Sequence, residues 1–225
     1  RILNITWCGA YIAFSIGSLG DWVVVTGYTL GEIDGHTSQG DDDIFIVLYD
    51  SNGLKQNSKQ IGTEYSDKAR GVAIDSNDNI YITGETRGQF EGNSNQSNGY
   101  RNDIFLLKYN LDFEPIWHQQ LGVAEHDWGT SIVVDQSDNL FVTGATTGGL
   151  DENESAGGND ISLMKYNSDG VKQWVKQTGS SANDIGERLV LDAYGNIYIT
   201  GHTYGSLYGN TNTGGIDLFM MKYNL

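Results

Sequence analysis

Carboxylates recur at matched positions along this chain of 225 residues, and their spacing is the first indication of chemistry. Asp67, Asp127 and Asp184 occupy equivalent places in three similar segments. Calcium takes about six to eight oxygen ligands, which carboxylates, amides and backbone carbonyls supply. Aspartates of this kind also accept hydrogen bonds from nearby backbone amides in loops. The three residues therefore predict either a calcium site or a repeated loop-stabilising contact.

Aromatic and amide side chains near the same segments suggest a second chemistry, the binding of a glycan. Small ligands bind in shaped sites that combine aromatic surface with a few polar anchors. Trp128 is the clearest candidate, because its repeat partners are Lys68 and Ile185 and the repeat itself does not require a tryptophan. A tryptophan at this position can instead pack against a neighbouring element. The other candidate ligand-binding residues are Tyr100, Tyr208, Asn93 and Asn210.

No catalytic constellation stands out in the sequence. Glycoside hydrolysis needs two carboxylates about 5–10 Å apart, but acids are so plentiful here that their presence discriminates nothing. The four histidines occupy different repeat positions, and His126 beside Asp127 has no accompanying nucleophile. The G-x-S-x-G motif of serine hydrolases does not occur. We expect a protein that is not an enzyme, since a hydrolase or lyase would need a deep axial pocket holding a carboxylate of raised pKa.

The composition excludes several classes of partner. The formal net charge is -16, from 29 acidic against 13 basic residues. Such a surface repels phosphate backbones, so we expect no nucleic-acid partner. No stretch reaches the ~18–20 apolar residues of a membrane-spanning helix. Cys8 is the only cysteine, which rules out an internal disulfide and a cysteine-based zinc cluster.

An internal repeat must position these side chains. The pair Thr-Gly begins at Thr26, Thr83, Thr143 and Thr200, at steps of 57, 60 and 57 residues. An aspartate before an apolar run that ends in tyrosine recurs at Asp43, Asp103, Asp160 and Asp217. Each copy predicts four short strands that are rich in β-branched and aromatic residues. The motif "DSNDN" predicts a tight turn between the first two strands rather than a calcium-binding EF-hand loop.

The third strand of each copy is apolar on both faces, so we expect each sheet to be covered on both sides. Four-stranded sheets repeated at this period favour a β-propeller over a solenoid. The last copy lacks a fourth strand, and "ILNITW" at the start of the chain carries Trp7, which matches Trp117 and Trp174. The sequence therefore predicts an all-β, four-bladed propeller of four-stranded antiparallel blades, closed by its N-terminal strand. The predicted single domain divides into a closing strand of the last blade (residues 1–9) and blades at 10–62, 63–122, 123–179 and 180–225.

The segments "GVAIDSNDNIYITGET", "RLVLDAYGNIYITGHT" and "GSLYGNTNTGGID" resemble the bacterial β-propeller repeat family called SBBP. The resemblance covers nearly the whole chain from about Asp21. The family is named for seven-bladed propellers, whereas this chain carries four copies, and Asn57 replaces the outer tryptophan in the first copy. The resemblance implies a secreted or surface-attached bacterial protein, and it brings no common ligand or reaction.

The long loops follow the second and fourth strands of each copy, so we expect them on one acidic face. Loops held by a rigid scaffold are a common location of binding sites. We expect an exported, extracellular or cell-surface binding module whose long-loop face engages a glycan or a protein, with calcium as a candidate cofactor. The alternative is a structural subunit that docks onto a larger assembly.

Overall fold

The computed structural model describes residues 11–90, 92–93 and 99–224 of the chain, and these form four antiparallel sheets. The first sheet contains β1 (Tyr11–Leu19), β2 (Trp22–Thr29), β3 (Asp43–Asp50) and β4 (Lys55–Ile61). The second contains β5 (Asp67–Ile74), β6 (Ile80–Thr86), β7 (Asp103–Tyr109) and β8 (Pro115–Leu121). The third contains β9 (Asp127–Val134), β10 (Leu140–Thr146), β11 (Asp160–Tyr166) and β12 (Lys172–Thr178). The fourth contains β13 (Asp184–Leu191), β14 (Ile197–Thr203) and β15 (Asp217–Tyr223), and a short 3-10 helix, Leu150–Glu152, follows β10.

The four sheets are the blades that the repeat predicts, and we number them blades 1 to 4 in chain order. Within each blade the strands pair in sequence order, which confirms the all-β architecture of antiparallel blades. Blade 4 has three strands within the described part of the chain, and no sheet there closes on itself. The predicted closing strand, residues 1–9, lies outside the described residues.

A β-bulge explains why the Thr-Gly pair recurs. In blade 2 the register between β5 and β6 shifts between Ala69 and Gly71, so that Arg70 is the extra residue. A Cβ added at Gly84 would collide with the carbonyl oxygen of Lys68, so only glycine fits opposite the bulge. Thr83 donates its hydroxyl to the carbonyl of Phe105, at 2.9 Å, and so ties the second strand to the third. The pair on the second strand therefore contacts both neighbours: the glycine accommodates the bulge of the first strand, and the threonine hydrogen-bonds to the third. Each of the other blades has a bulge at the same place.

Blades pack against one another through the apolar faces of their middle strands. Every residue of β6 and of β7 is buried, as the two-sided apolar pattern predicts. One core cluster joins Ile44 and Ile46 of blade 1 to Ile80, Ile82 and Phe105 of blade 2. Similar clusters join blade 2 to blade 3 and blade 3 to blade 4. The first strands also contact in series, β1 with β5, β5 with β9 and β9 with β13.

The motif "DSNDN" forms the predicted turn. One carboxylate oxygen of Asp75 accepts the backbone N–H groups of Asn77 (2.8 Å) and Asn79 (2.9 Å). The other accepts the side-chain amide of Asn79 and the hydroxyl of Tyr81, both at 2.8 Å. Partial burial opposes ionisation of this carboxyl, but the hydrogen bonds outweigh burial and hold its pKa below the usual value. The carboxylate is thus engaged by its own turn, and Asp135 and Asp192 accept the equivalent two backbone N–H groups and the side-chain amide of the turn asparagine.

Candidate functional site

The long loops lie on one face of the blades, as the antiparallel strand order requires. We call this the long-loop face; it comprises the connections after the second and fourth strands of the blades. The opposite face, which we call the tight-turn face, carries only connections of two to five residues. The described loops of the long-loop face are residues 30–42, 62–66, 87–90, 92–93, 99–102, 122–126, 147–159, 179–183 and 204–216.

In blades 1 to 3, a glutamine of the fourth strand holds the loop after the second strand in place. In blade 2 the side-chain amide of Gln120 donates to Asp103 (2.8 Å) and to the carbonyl of Gly88 (3.0 Å). Its carbonyl oxygen accepts the backbone N–H of Phe90 at 3.3 Å. Gln60 and Gln177 make the corresponding contacts in blades 1 and 3. The loops of these three blades are therefore fixed by buried or half-buried hydrogen bonds, which limits the ordering cost of binding a ligand.

Asp67 connects two blades from a fully buried position. Its carboxylate accepts the backbone N–H of Thr63 (2.6 Å), the hydroxyl of Thr63 (2.8 Å) and the hydroxyl of Thr86. Its own backbone N–H donates to the carbonyl of Asp42 in blade 1, at 2.7 Å. Asp67 is 0% exposed, so its carboxylate serves the loop beside it rather than the surface.

Asp127 and Asp184 repeat this arrangement in blades 3 and 4. Each carboxylate accepts a backbone N–H four residues earlier, and each backbone N–H donates to the preceding blade. The three aspartates are thus equivalent loop supports in separate blades. Within the described ranges, no group of three or more histidine, cysteine, aspartate or glutamate side chains could hold a metal ion. A calcium site at these aspartates stays a prediction.

Burial changes the acidity of two of these carboxyls. Desolvation raises the pKa of Asp67 to about 6, although hydrogen bonds from Thr86 and Thr63 oppose the rise. Desolvation likewise raises the pKa of Asp127 to about 7, and the nearby carboxylates of Asp103 and Glu125 add to the effect. Both groups therefore change charge in the mildly acidic to neutral range, at the base of the long loops.

A groove lies on the long-loop face between blades 1 and 2, and we call it the blade 1–2 groove. Its cavity volume is about 750 Å³. The walls come from the loop before β3, the connection between the two blades, the loop after β6, and β8. The lining side chains that could contact a ligand include Gln39, Glu64, Tyr65, Arg87, Phe90 and His118.

The groove has an apolar floor and a polar rim. Phe90 is 5% exposed and packs edge-on against Phe105, with ring centroids 5.5 Å apart. His118 packs against the same ring of Phe90 at 6.0 Å, and its Nε2 lies 3.2 Å from the hydroxyl of Tyr109. Tyr65 is exposed at the rim. Arg87, also exposed, donates from Nε to the side-chain carbonyl of Asn102 at 3.0 Å, which fixes the orientation of its guanidinium group.

Two of the five predicted ligand-binding residues lie in the loop that forms a wall of this groove. Asn93 accepts the backbone N–H of Gln120 (3.0 Å) and donates to the carbonyl of His118 (3.4 Å), so it attaches the loop to β8. Tyr100 follows Gly99, which lines the groove, and its side chain is 83% exposed.

The other three predicted ligand-binding residues lie in blades 3 and 4. Trp128 is the second residue of β9, half-buried and opposite Ala145 of β10. Tyr208 is 70% exposed, and its hydroxyl lies 2.8 Å from that of Thr178. Asn210 donates to a carbonyl three residues earlier in its own loop. The structure therefore distributes the predicted ligand-binding set over three blades, and its role in binding stays a prediction.

Sequence reasoning missed the residues that line the groove. Tyr65 was identifiable, because its repeat partners are Glu125 and Ala182 and the repeat does not require an aromatic residue there. Phe90 carried no such signal, because Leu150 and Leu207 at the equivalent positions are also apolar. Only the fold shows that these side chains border one cavity.

Among the described residues, no helix has the length and apolar character needed to cross a membrane.

The family model described as a β-propeller repeat, SBBP, matches residues 56–91, 116–151 and 173–212. The first match runs through β4, β5 and β6, so the matched unit joins the fourth strand of one blade to the first two strands of the next.

Two curated proteins are similar to this chain. An uncharacterized WD repeat-containing protein, L264, of Acanthamoeba polyphaga mimivirus is 24% identical over 201 residues, which is 73% of this chain. The regulatory protein FlaEY of Caulobacter vibrioides is 23% identical over 132 residues, which is 54% of this chain. The aligned region is 14% of the length of each relative.

Proposed function

Because the chain belongs to the SBBP β-propeller repeat family, we propose that it is a non-enzymatic interaction module whose blade 1–2 groove binds a segment of a protein partner. The observation that carries this proposal is the groove itself, a cavity of about 750 Å³ with an apolar floor at Phe90 and polar side chains at its rim.

The similar proteins support an interaction role rather than catalysis. One is described as a WD repeat-containing protein and the other as a regulatory protein. Neither description names an enzymatic activity. The chain spans 14% of the length of these relatives, so the role of each whole protein is not transferred to it.

The groove has the residue types of a protein-binding site. Tyrosine and arginine are enriched among residues that dominate binding energy, and Tyr65 and Arg87 are both exposed at its rim. Phe90 offers an apolar surface below them. The net charge of -16 attracts positively charged partners over long range. We therefore expect the partner segment to be basic and to insert one apolar side chain.

Substitutions at the rim test the proposal. Peptides selected from a phage-displayed random library on the immobilised 225-residue chain would be synthesised and their Kd values measured by titration calorimetry. We expect Tyr65→Ala and Arg87→Ala each to raise the Kd by about tenfold or more, the scale of a substantial interface contact.

Tyr194→Ala is the matched control. Tyr194 is 92% exposed and lines a separate cavity of about 470 Å³ on the tight-turn face, so its removal should leave the Kd unchanged. The proposal fails if the library yields no binder, or if the selected peptides lose affinity with Tyr194→Ala and not with the rim variants.

A glycan is the second candidate ligand. The observation that favours it is the exposure of two loop tyrosines on the long-loop face, Tyr100 at 83% and Tyr208 at 70%. A glycan array probed with the chain, with calcium and with a chelator, tests this candidate. Binding that disappears in Tyr100→Ala or Tyr208→Ala supports a glycan, and a calcium requirement would support the predicted metal site. Absence of binding in both conditions contradicts it.

A further inference from the structure

Blade 4 exposes an apolar face that the other blades bury. Leu218 and Met220 of β15 are 88% and 72% exposed, and Val190 of β13 is 58% exposed. We call these three residues the β15 face. At the positions equivalent to Leu218 and Met220, the other blades carry apolar residues exposed by at most 2%: Ile44, Ile46, Ile104, Leu106, Ile161 and Leu163.

In each of blades 1 to 3, the residues equivalent to Leu218 and Met220 are covered by the blade that follows. Ile161 and Leu163 of blade 3 pack in one core cluster with Leu189, Ile197 and Ile199 of blade 4. The following blade thus supplies its first and second strands to the face before it. The described chain contains this interface three times, between blades 1 and 2, 2 and 3, and 3 and 4. The first two strands of such a sheet are therefore the kind of surface that would fit the β15 face.

The hydrogen-bonding groups around the β15 face follow the same pattern. Each blade interface contains a backbone hydrogen bond to the residue before the third strand, such as Asp184 N–H to the carbonyl of Asn159 at 2.7 Å. The equivalent acceptor in blade 4 is the carbonyl of Ile216, to which no described residue donates. β15 is also an edge strand in the described part of the chain, whereas β3, β7 and β11 each pair with a fourth strand. An open strand edge beside an apolar face accepts another β-strand.

We propose that the β15 face is a docking surface for a further β-sheet of this same repeat type. Its leading strand would pair with β15, and its first two strands would cover Leu218 and Met220. The backbone N–H at the start of its first strand would bind the carbonyl of Ile216.

Arg188 sets one requirement on the incoming sheet. The equivalent positions in the other blades hold the small residues Ser15, Gly71 and Ser131, and a Cβ on Gly71 would lie 3.1 Å from the Cα of Ser131 in the next blade. An arginine there needs more room than a small residue, and its guanidinium group donates to the carbonyl of Glu187 at 2.8 Å. The incoming first strand must therefore differ near this point from those of blades 2 to 4, or Arg188 must be replaced by a small residue.

A graft built from the chain itself tests the proposal. "YNL" occurs at residues 109–111 and again at 223–225, so a second copy of residues 112–179 can follow Leu225 at an equivalent junction. The fusion would carry Arg188→Ser to provide the small residue. We expect Tm to rise by about 5 °C or more relative to the unfused Arg188→Ser chain, and amide exchange of β15 to slow by about tenfold or more.

The variant Leu218→Asp with Met220→Asp is the control. It should abolish both effects in the fusion, while it shifts Tm of the unfused chain by no more than about 1 °C, because the two side chains are exposed there.

Three results overturn the proposal. The graft could leave Tm and the exchange of β15 unchanged. The grafted residues could remain sensitive to protease while residues 11–224 stay folded. The β15 face would then fail to bind a sheet that is folded at its original place in blade 3. Sedimentation of the unfused chain could show a dimer that the double aspartate variant dissociates, which would make a second copy the occupant.

Discussion

At the scale of single residues, the repeat-matched aspartates are structural links. Asp67 accepts hydrogen bonds from Thr63 and Thr86 through its carboxylate and donates one to the preceding blade through its backbone. Its type and spacing alone fit a calcium ligand equally well, because the sequence does not show how deeply a carboxylate is buried. Asp75 is different, since its partners lie within six residues and the turn was predictable from local chemistry.

The raised pKa of Asp67 predicts a pH dependence of stability. A folded-state pKa of about 6, against 3.8 for the free group, means that the folded state binds the proton more tightly. Stability from this group is therefore present at low pH and is lost as the pH rises from about 4 through 6. Between pH 5 and pH 8 we expect the free energy of unfolding of the wild type to fall by about 1–2 kcal/mol relative to that of Asp67→Asn.

Urea unfolding followed by circular dichroism at the two pH values measures this difference. Asp112→Asn, at an exposed position in a turn, is the control and should keep the pH dependence of the wild type. An identical change with pH in the wild type and in Asp67→Asn would contradict the assignment.

At the scale of elements, the fourth strands connect neighbouring blades as well as completing their own. Trp117 of β8 donates from its indole nitrogen to the carbonyl of Ser168 in the turn after β11, at 3.1 Å. Asn57 of β4 makes a longer contact of the same kind, 3.5 Å to the carbonyl of Asp112. Trp174 of β12 packs on Phe141, and no hydrogen bond joins its indole nitrogen to a described residue.

This difference predicts unequal effects of one conservative substitution. Trp117→Phe keeps most of the apolar contact and removes the inter-blade hydrogen bond, so we expect it to lower the free energy of unfolding by about 1 kcal/mol more than Trp174→Phe does. Urea unfolding monitored by far-ultraviolet circular dichroism gives both values. A larger loss for Trp174→Phe would show that ring packing, rather than the link between blades, determines the role of the outer tryptophan.

The strands and turns were predictable because the same sequence signals recur in several copies of the repeat. The strands, the turns and the two-sided burial follow from the apolar pattern and the Asp, Asn and Gly positions, and the structure confirms them. The bulges were not predicted, although the glycine of each Thr-Gly pair lies opposite one, because a glycine within a strand does not show which residue of the neighbouring strand is the extra one, here Arg70. The groove escaped prediction for a related reason: Tyr65 and Phe90 lie 25 positions apart, and only the packing of two blades brings both to one cavity.

At the scale of the whole molecule, the four blades provide two surfaces of different character. The long-loop face carries a groove whose loops are fixed by the glutamines of the fourth strands. The β15 face is an exposed apolar surface on a strand that has one paired neighbour within the described residues. The proposed ligand site and the proposed docking surface therefore lie on different parts of the molecule.

Hydrogen–deuterium exchange of the 225-residue chain, with and without a peptide selected on it, tests the central claim most directly. If the blade 1–2 groove binds the peptide, protection should increase at residues 62–66, 87–90 and 118–120, and Tyr65→Ala should remove the increase. Protection confined to the tight-turn face, or to β13 and β15, would show that the groove is not the binding site.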